Sequence, residues 1–148
     1  MMPSPTDIAA AARGWVGTPY RHRAAARGAG ADCLGLICGL WHEFYGTVPE
    51  ILPPYSPDWS EASGQEFLWD GLARHLRAKP LDDAAPGDVI LMRMREAGIA
   101  KHVGVQTETG PEGRFVHAYF GHGVVESALS LPWRRRIVAR FEFPDRRV

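Results

Sequence analysis

The chain has 148 residues, 45% hydrophobic and 10% aromatic, which suits one globular domain with a real core and excludes a disordered chain. Seventeen basic and seventeen acidic residues cancel, so charge makes no case for nucleic-acid binding. No stretch approaches a transmembrane helix, and no basic region followed by an apolar run marks a signal peptide. The expectation is a chain made and retained in the cytoplasm, unless it leaves within a larger assembly or on lysis.

In chain order, Ser4-Pro5-Thr6-Asp7 predicts a helix start: a cap, proline at the first position and an acidic residue in the first turn. That helix runs to about Trp15, and Gly17-Thr18-Pro19-Tyr20 breaks it. Residues 21 to 31 are a Gly/Ala/Arg loop. The stretch Ala31 to Gly46 then reads as a buried helix, with apolar residues at 34, 37, 38, 41, 44 and 45 and a second stripe at Leu36 and Leu40. A helix apolar nearly all round belongs at the centre of the fold. Asp32 supplies its start and Gly46 its stop. Gly35 and Gly39 each cost roughly 1 kcal/mol against alanine, which implies another backbone packed close to them.

Residues 47 to 61 carry Pro49, Pro53, Pro54 and Pro57 with Tyr55 and Trp59, an irregular segment that is either a packed loop or a cleft wall. Residues 62 to about 78 predict an amphipathic helix on Phe67, Leu68, Leu72 and Leu76, ended by Pro80. Strands follow. Pro86-Gly87-Asp88 turns into Val89 to Met94, and a loop over 96–101 leads to the strand His102 to Thr107. Gly110-Pro111-Glu112-Gly113 turns into Arg114 to Tyr119, and Gly121-His122-Gly123 into Val124 to Ala128. Pro132-Trp133-Arg134 is a short irregular turn before Ile137 to Phe143. Helices first and consecutive short strands second predict an α+β fold, an antiparallel sheet packed on the central helix, as a single domain over 1–148. The arginines at 134, 135, 136, 140, 146 and 147 read as a solvated edge strand and tail, with an anionic contact surface as the alternative.

Cys33 falls on the first turn of the central helix. Unpaired amides and the positive end of the helix dipole favour a thiolate there, so the thiol pKa is expected to fall. The bland reading is a small buried hydrophobe, and Cys38 is most simply that. A zinc site from Cys33, Cys38, His22 and His42 matches no common spacing, and a disulfide between cysteines roughly 140° apart on one helix is implausible. A cysteine nucleophile needs a base and a third group to hold the base. In a regular hairpin 102 sits opposite about 119, so His117 is its diagonal neighbour within side-chain reach. On that geometry His102 is the base and His117 orients it.

The runs Gly17-Thr18-Pro19-Tyr20, Asp32-Cys33-Leu34-Gly35-Leu36, Pro86-Gly87-Asp88-Val89-Ile90, His102-Val103-Gly104-Val105 and Val116-His117-Ala118 stand in order. Together they resemble the NlpC family of papain-like cell-wall peptidases. With Trp15 to His22 and Trp41 to Gly46, the similarity is to the bacteriophage branch, tail-associated peptidases also found in gene transfer agents. The resemblance implies a papain-like fold with Cys33 as nucleophile, His102 as base and His117 as the residue that orients it. It further implies Tyr20 beside the cysteine, its hydroxyl serving the oxyanion or the substrate, and Asp32 near the substrate's amine end. No metal and no cofactor are implied. The substrate is a peptidoglycan stem peptide, commonly cut between D-glutamate and diaminopimelate or lysine. The partners are tail or baseplate proteins of a phage-like particle, and the place of action is the wall of the target cell. Leu34 stands where the family often has serine, which changes how the stem is read. The alternatives are an amidase or acyltransferase on the same scaffold, or an assembly component whose domain does not turn over.

Overall fold

The computed structural model describes residues 4–47 and 65–144. The proline-rich 48–61 stretch, the predicted helix start at 62–64, and Arg146 and Arg147 lie outside the described residues.

Helix α1 (Pro5–Arg13) begins as its sequence predicts. Ser4 accepts from the Asp7 amide and Asp7 accepts from the Ser4 amide, a reciprocal capping box. Two short strands, β1 (Ala25–Ala26) and β2 (Gly30–Ala31), make a small antiparallel hairpin within the 21–31 loop. Helix α2 (Cys33–Tyr45) follows, capped by the Asp32 side chain on the Gly35 amide and ended by Gly46 at φ 74°, where a side chain would be strained. After helix α3 (Phe67–His75) come strands β3 (Arg77–Lys79), β4 (Val89–Arg93), β5 (Ala100–Glu108), β6 (Arg114–Tyr119) and β7 (Gly123–Ala128). A one-turn helix α4 (Leu131–Arg134) and strand β8 (Ile137–Glu142) complete the described chain.

Among the described residues six strands form one antiparallel sheet, in the order β3-β8-β4-β5-β6-β7. Helix α2 packs on β5 and β6, and α1 on β5. The α+β class and the central helix are therefore as the sequence predicts. Two elements differ. The predicted helix over 62–78 ends at His75, and Arg77–Lys79 is a strand instead, because Leu76 turns extended and the edge of β8 is there to pair with. The predicted turn at 132–134 is helical.

The sheet is covered on both sides, which explains why β4 is apolar throughout rather than alternating. One face carries Val89, Leu91, Val103, Val105, Val116 and Ala118 into the main core with Leu36, Ile37 and Leu40 of α2. The other carries Ile90, Met92 and Phe115 against Leu129, Trp133 and Ile137. Polar residues share this second side: Arg140 reaches Asp88 at 2.9 Å and Gln106 at 2.7 Å, and Lys79 holds the other Asp88 oxygen at 3.0 Å. The aspartate of the Pro86-Gly87-Asp88 turn thus ties β3, β4, β5 and β8 together.

The 21–31 loop crosses the start of α2 closely. A Cβ at Gly35 would overlap the Ala24 carbonyl oxygen, whereas at Gly39 the neighbour is the Trp15 indole rather than backbone. Gly35→Ala is therefore expected to cost about 3 kcal/mol of stability through overpacking, whereas Gly46→Ala costs about 1 kcal/mol for its left-handed φ. Urea denaturation of the two variants checks this; equal losses would mean the loop simply moves aside.

Candidate active site

The start of α2 is fixed from several directions. Asp32 donates its amide to the Ala24 carbonyl, and its two carboxylate oxygens accept from the Gly35 and Arg23 amides, each at 2.7 Å. Tyr20 is brought alongside by a bridge to Ala31, reinforced by the Arg21 amide on the Ala31 carbonyl. Asp32, nearly fully buried, is thus the cap that sets the helix origin.

This places the Cys33 sulfur at a break in the sheet. The Gln106 amide bonds the Asp88 carbonyl on the β4 side, so the main-chain groups of 101, 103 and 105 alternate toward β6. The β5–β6 register runs from Glu108↔Arg114 to Val105↔Val116, and beyond it the strands part. Into that opening goes the sulfur, which receives the Val103 amide and lies 3.9 Å from the Lys101 carbonyl oxygen. The amides of Cys33 and Leu34, donors of the first turn that Asp32 does not take, are also directed at it.

His102 lies between those two contacts in sequence, and its side chain is on the second side of the sheet. Its Nε2 is 2.7 Å from His117 Nδ1, as the diagonal register predicts. The other nitrogen of His117, Nε2, is 3.0 Å from Ser127 Oγ on β7. Aromatic rings enclose the pair. His117 lies between Phe115 and Tyr119 at centroid distances of 4.1 and 5.3 Å, and Trp133 of α4 meets His117 edge-on at 5.1 Å and His102 at 5.9 Å. Arg136 covers the outer face of Trp133.

Burial sets the protonation of the site. It lowers His102 to about 3, with His117 and Arg136 adding to the effect. It lowers His117 to about 4, with His122 contributing. It raises the Cys33 thiol to about 12, helped by the Asp32 carboxylate and opposed by the amides of Val103, Leu34 and Cys33. The lowered thiol pKa expected from the helix terminus is thus corrected: the amides act in the expected direction, but desolvation outweighs them. Tyr20 is likewise pushed up to about 12, by burial first and then by Cys33 and Asp32.

The structure therefore brings Cys33, Tyr20 and Asp32 together at the helix start and joins His102 to His117. Among the described residues the thiol's hydrogen-bond partner is the Lys101 carbonyl and not the His102 ring. His102 Nδ1 carries no hydrogen bond among them and is not sealed from solvent, so it is the ring nitrogen that the His117 contact leaves open. No group of three or more His, Cys, Asp or Glu side chains among the described residues is arranged to hold a metal. Sequence reasoning missed Ser127 and Trp133. Ser127 had a signal: the turn at 121–123 sets His117 opposite Val125 and leaves 127 on the diagonal, the same construction that pairs 102 with 117.

The NlpC/P60 family model matches residues 17–141. Solved structures of similar fold include the NlpC/p60 domain of the peptidoglycan hydrolase SagA, with a TM-score of 0.66 and 16% identity over 95% of this chain and 99% of that one. Another is an NlpC/P60 family protein from Bacillus cereus ATCC 10987, with a TM-score of 0.64 and 16% identity over 97% of this chain and 41% of that one. A third is a Staphylococcus aureus protein described as similar to a lipoprotein of the NLP/P60 family, with a TM-score of 0.59 and 22% identity over 93% and 40%. The chain thus spans about two fifths of the length of the last two. No curated protein matches the chain.

The two lowered imidazoles make stability depend on pH. Both are neutral in the folded protein down to about pH 4, whereas in the unfolded chain they titrate near the ordinary 6.5. Between those values the unfolded state binds more protons, so stability rises with pH across the window and is lost as pH falls through it. The urea midpoint is expected to drop from pH 7 to pH 4, less steeply in His117→Asn. A flat profile over that range would show that the rings are charged in the folded protein.

Proposed function

The chain belongs to the NlpC/P60 family, and from that premise we propose that it is a cysteine peptidase that hydrolyses the peptide stems of bacterial peptidoglycan. Family members are typically peptidoglycan hydrolases of this kind. The observation that carries the reading is a helix-start cysteine whose sulfur meets the main chain of Lys101 and Val103, the two neighbours of His102 on β5, whose ring is joined to His117.

In the proposed reaction the thiol rotates from the Lys101 carbonyl to His102 Nδ1. Its proton passes to that nitrogen as the sulfur attacks the scissile carbonyl carbon. The carbonyl oxygen becomes an oxyanion facing the Cys33 amide, where one good donor is worth roughly 3 kcal/mol, with the Tyr20 hydroxyl on the same side. His102 then gives the proton to the leaving amine, and water attacks the acyl-enzyme to release the acid and regenerate the thiol. His117 keeps the His102 ring in place and touches no reacting atom.

The favoured bond is D-glutamyl–diaminopimelate. The family resemblance supports this class of bond, while Leu34, buried in the core, supplies no hydroxyl where the family often has serine. We further propose that the domain rides on a phage-like tail, with tail or baseplate proteins as partners and the target cell wall as its place of action. The support is the resemblance of Trp15 to His22 and of Trp41 to Gly46 to tail-associated peptidases. One observation favours a second reading, an assembly component that does not turn over: the thiol rests on a carbonyl rather than on the base.

Digestion of purified stem peptides, with products read by mass spectrometry, separates the two. The wild type is expected to yield a new fragment that names the bond, and Cys33→Ala to yield none while keeping its fold. A folded wild type that cuts no stem, alone or with its particle, would favour the assembly reading.

A further inference from the structure

The relay does not stop at His117. Three side chains on adjacent strands of one sheet face lie in hydrogen-bonded series: His102 on β5, His117 on β6 and Ser127 on β7. Each ring is neutral at physiological pH and so carries one proton. Two arrangements satisfy both hydrogen bonds. In the first, His102 Nε2–H donates to His117 Nδ1, and His117 Nε2–H donates to Ser127 Oγ. In the second, every donor is reversed: Ser127 O–H donates to His117 Nε2, and His117 Nδ1–H donates to His102 Nε2.

The two differ in chemistry. The first leaves His102 Nδ1 bare and able to take the Cys33 proton. The second puts a proton on that nitrogen, and the ring cannot act as base toward the sulfur. The far end of the chain, 3.0 Å from His117 Nε2, is therefore coupled to the near end: His102 Nδ1 is basic only while the Ser127 oxygen accepts. A hydroxyl suits this end: it has two acceptor lone pairs, and Ser127 is only half-buried, so its own proton can go to water. An apolar residue at 127 would leave the Nε2–H of His117 without a partner beneath Phe115, Tyr119 and Trp133.

The geometry points to Ser127 as a positioning residue that holds His117, and through it His102, in the base-competent tautomer. The inference rests on the peptidase reading, but its structural core is independent of substrate.

The test is ring-nitrogen NMR of histidine-labelled protein beside steady-state hydrolysis of stem peptides. In the wild type the His117 and His102 protons are expected on Nε2, with His102 Nδ1 bare. Ser127→Ala is expected to mix tautomers on both rings and to lower kcat about fivefold, the weight of one ordinary hydrogen bond, with KM unchanged. Ser127→Thr, which keeps the hydroxyl, restores both readouts. A wild-type His117 with its proton on Nδ1, or a Ser127→Ala protein with unaltered rings and kcat, would overturn the assignment. If the wild type cuts no stem, the spectra still decide the relay. Cys33 alkylation by iodoacetamide, expected to slow in Ser127→Ala and recover in Ser127→Thr, then replaces turnover as the rate readout. The peptidase reading can thus fail while the relay stands, and the reverse.

Discussion

The Cys33 sulfur occupies a place that belongs to a strand. Where the β5–β6 register ends at Val105↔Val116, the first turn of α2 meets the Val103 amide and the Lys101 carbonyl. A helix start also has donors without partners, so two incomplete hydrogen-bonding systems meet at one atom. Much of the local structure serves this junction. The Asp32 cap fixes where the helix begins, the crossing of Ala24 over Gly35 fixes its depth, and the Tyr20–Ala31 bridge closes the remaining side. A sulfur set on main-chain groups is held more firmly than one set on flexible side chains.

The sheet separates two environments that the chemistry needs together. On the α2 side lie Leu36, Ile37 and Leu40, a dry core that anchors the helix. On the other side a polar network and an aromatic enclosure share one surface. Asp88 is shared by Arg140 and Lys79, with the Gln106 amide oxygen taking a further Arg140 N–H, and the two imidazoles avoid charge altogether under Phe115, Tyr119 and Trp133. Both solutions follow from the cost of burying an unpaired charge. Loss of Trp133 would open the enclosure to water without removing any atom of the relay.

What was legible in the sequence was local or periodic. Asp32 and Gly46 bound α2 because caps act over one turn, and the 102/117 diagonal followed from a tight hairpin with a known register. Ser127 obeyed the same arithmetic one hairpin later and went unread because a serine in a strand carries no signal alone. The helical turn that brings Trp133 onto the rings, and the strand at 77–79, depend on partners distant in the chain. The thiol's shift went the wrong way for a related reason. A helix terminus can be read from sequence, but the desolvation that overrides it depends on everything packed above the site.

That override bears on how the site works. With the thiol pushed up and both rings pushed down, neither the sulfur nor the imidazole pair is charged at rest, and the Asp32 carboxylate beside the sulfur is tied to the Gly35 and Arg23 amides. In the proposed reaction charge would appear only when sulfur attacks: an imidazolium would form on His102 as negative charge moves to the substrate oxygen beside the Cys33 amide. A preformed ion pair would be stabilised in the ground state and in the transition state alike, and would accelerate nothing. In that proposed reaction the donors of the first turn and the relay through His117 would find their full electrostatic partners only at the transition state, in surroundings dry enough to make those interactions strong. In the proposed reaction, the burial that makes Cys33 a poor free thiolate would also make it a selective nucleophile, slow to react until a carbonyl group is seated against it.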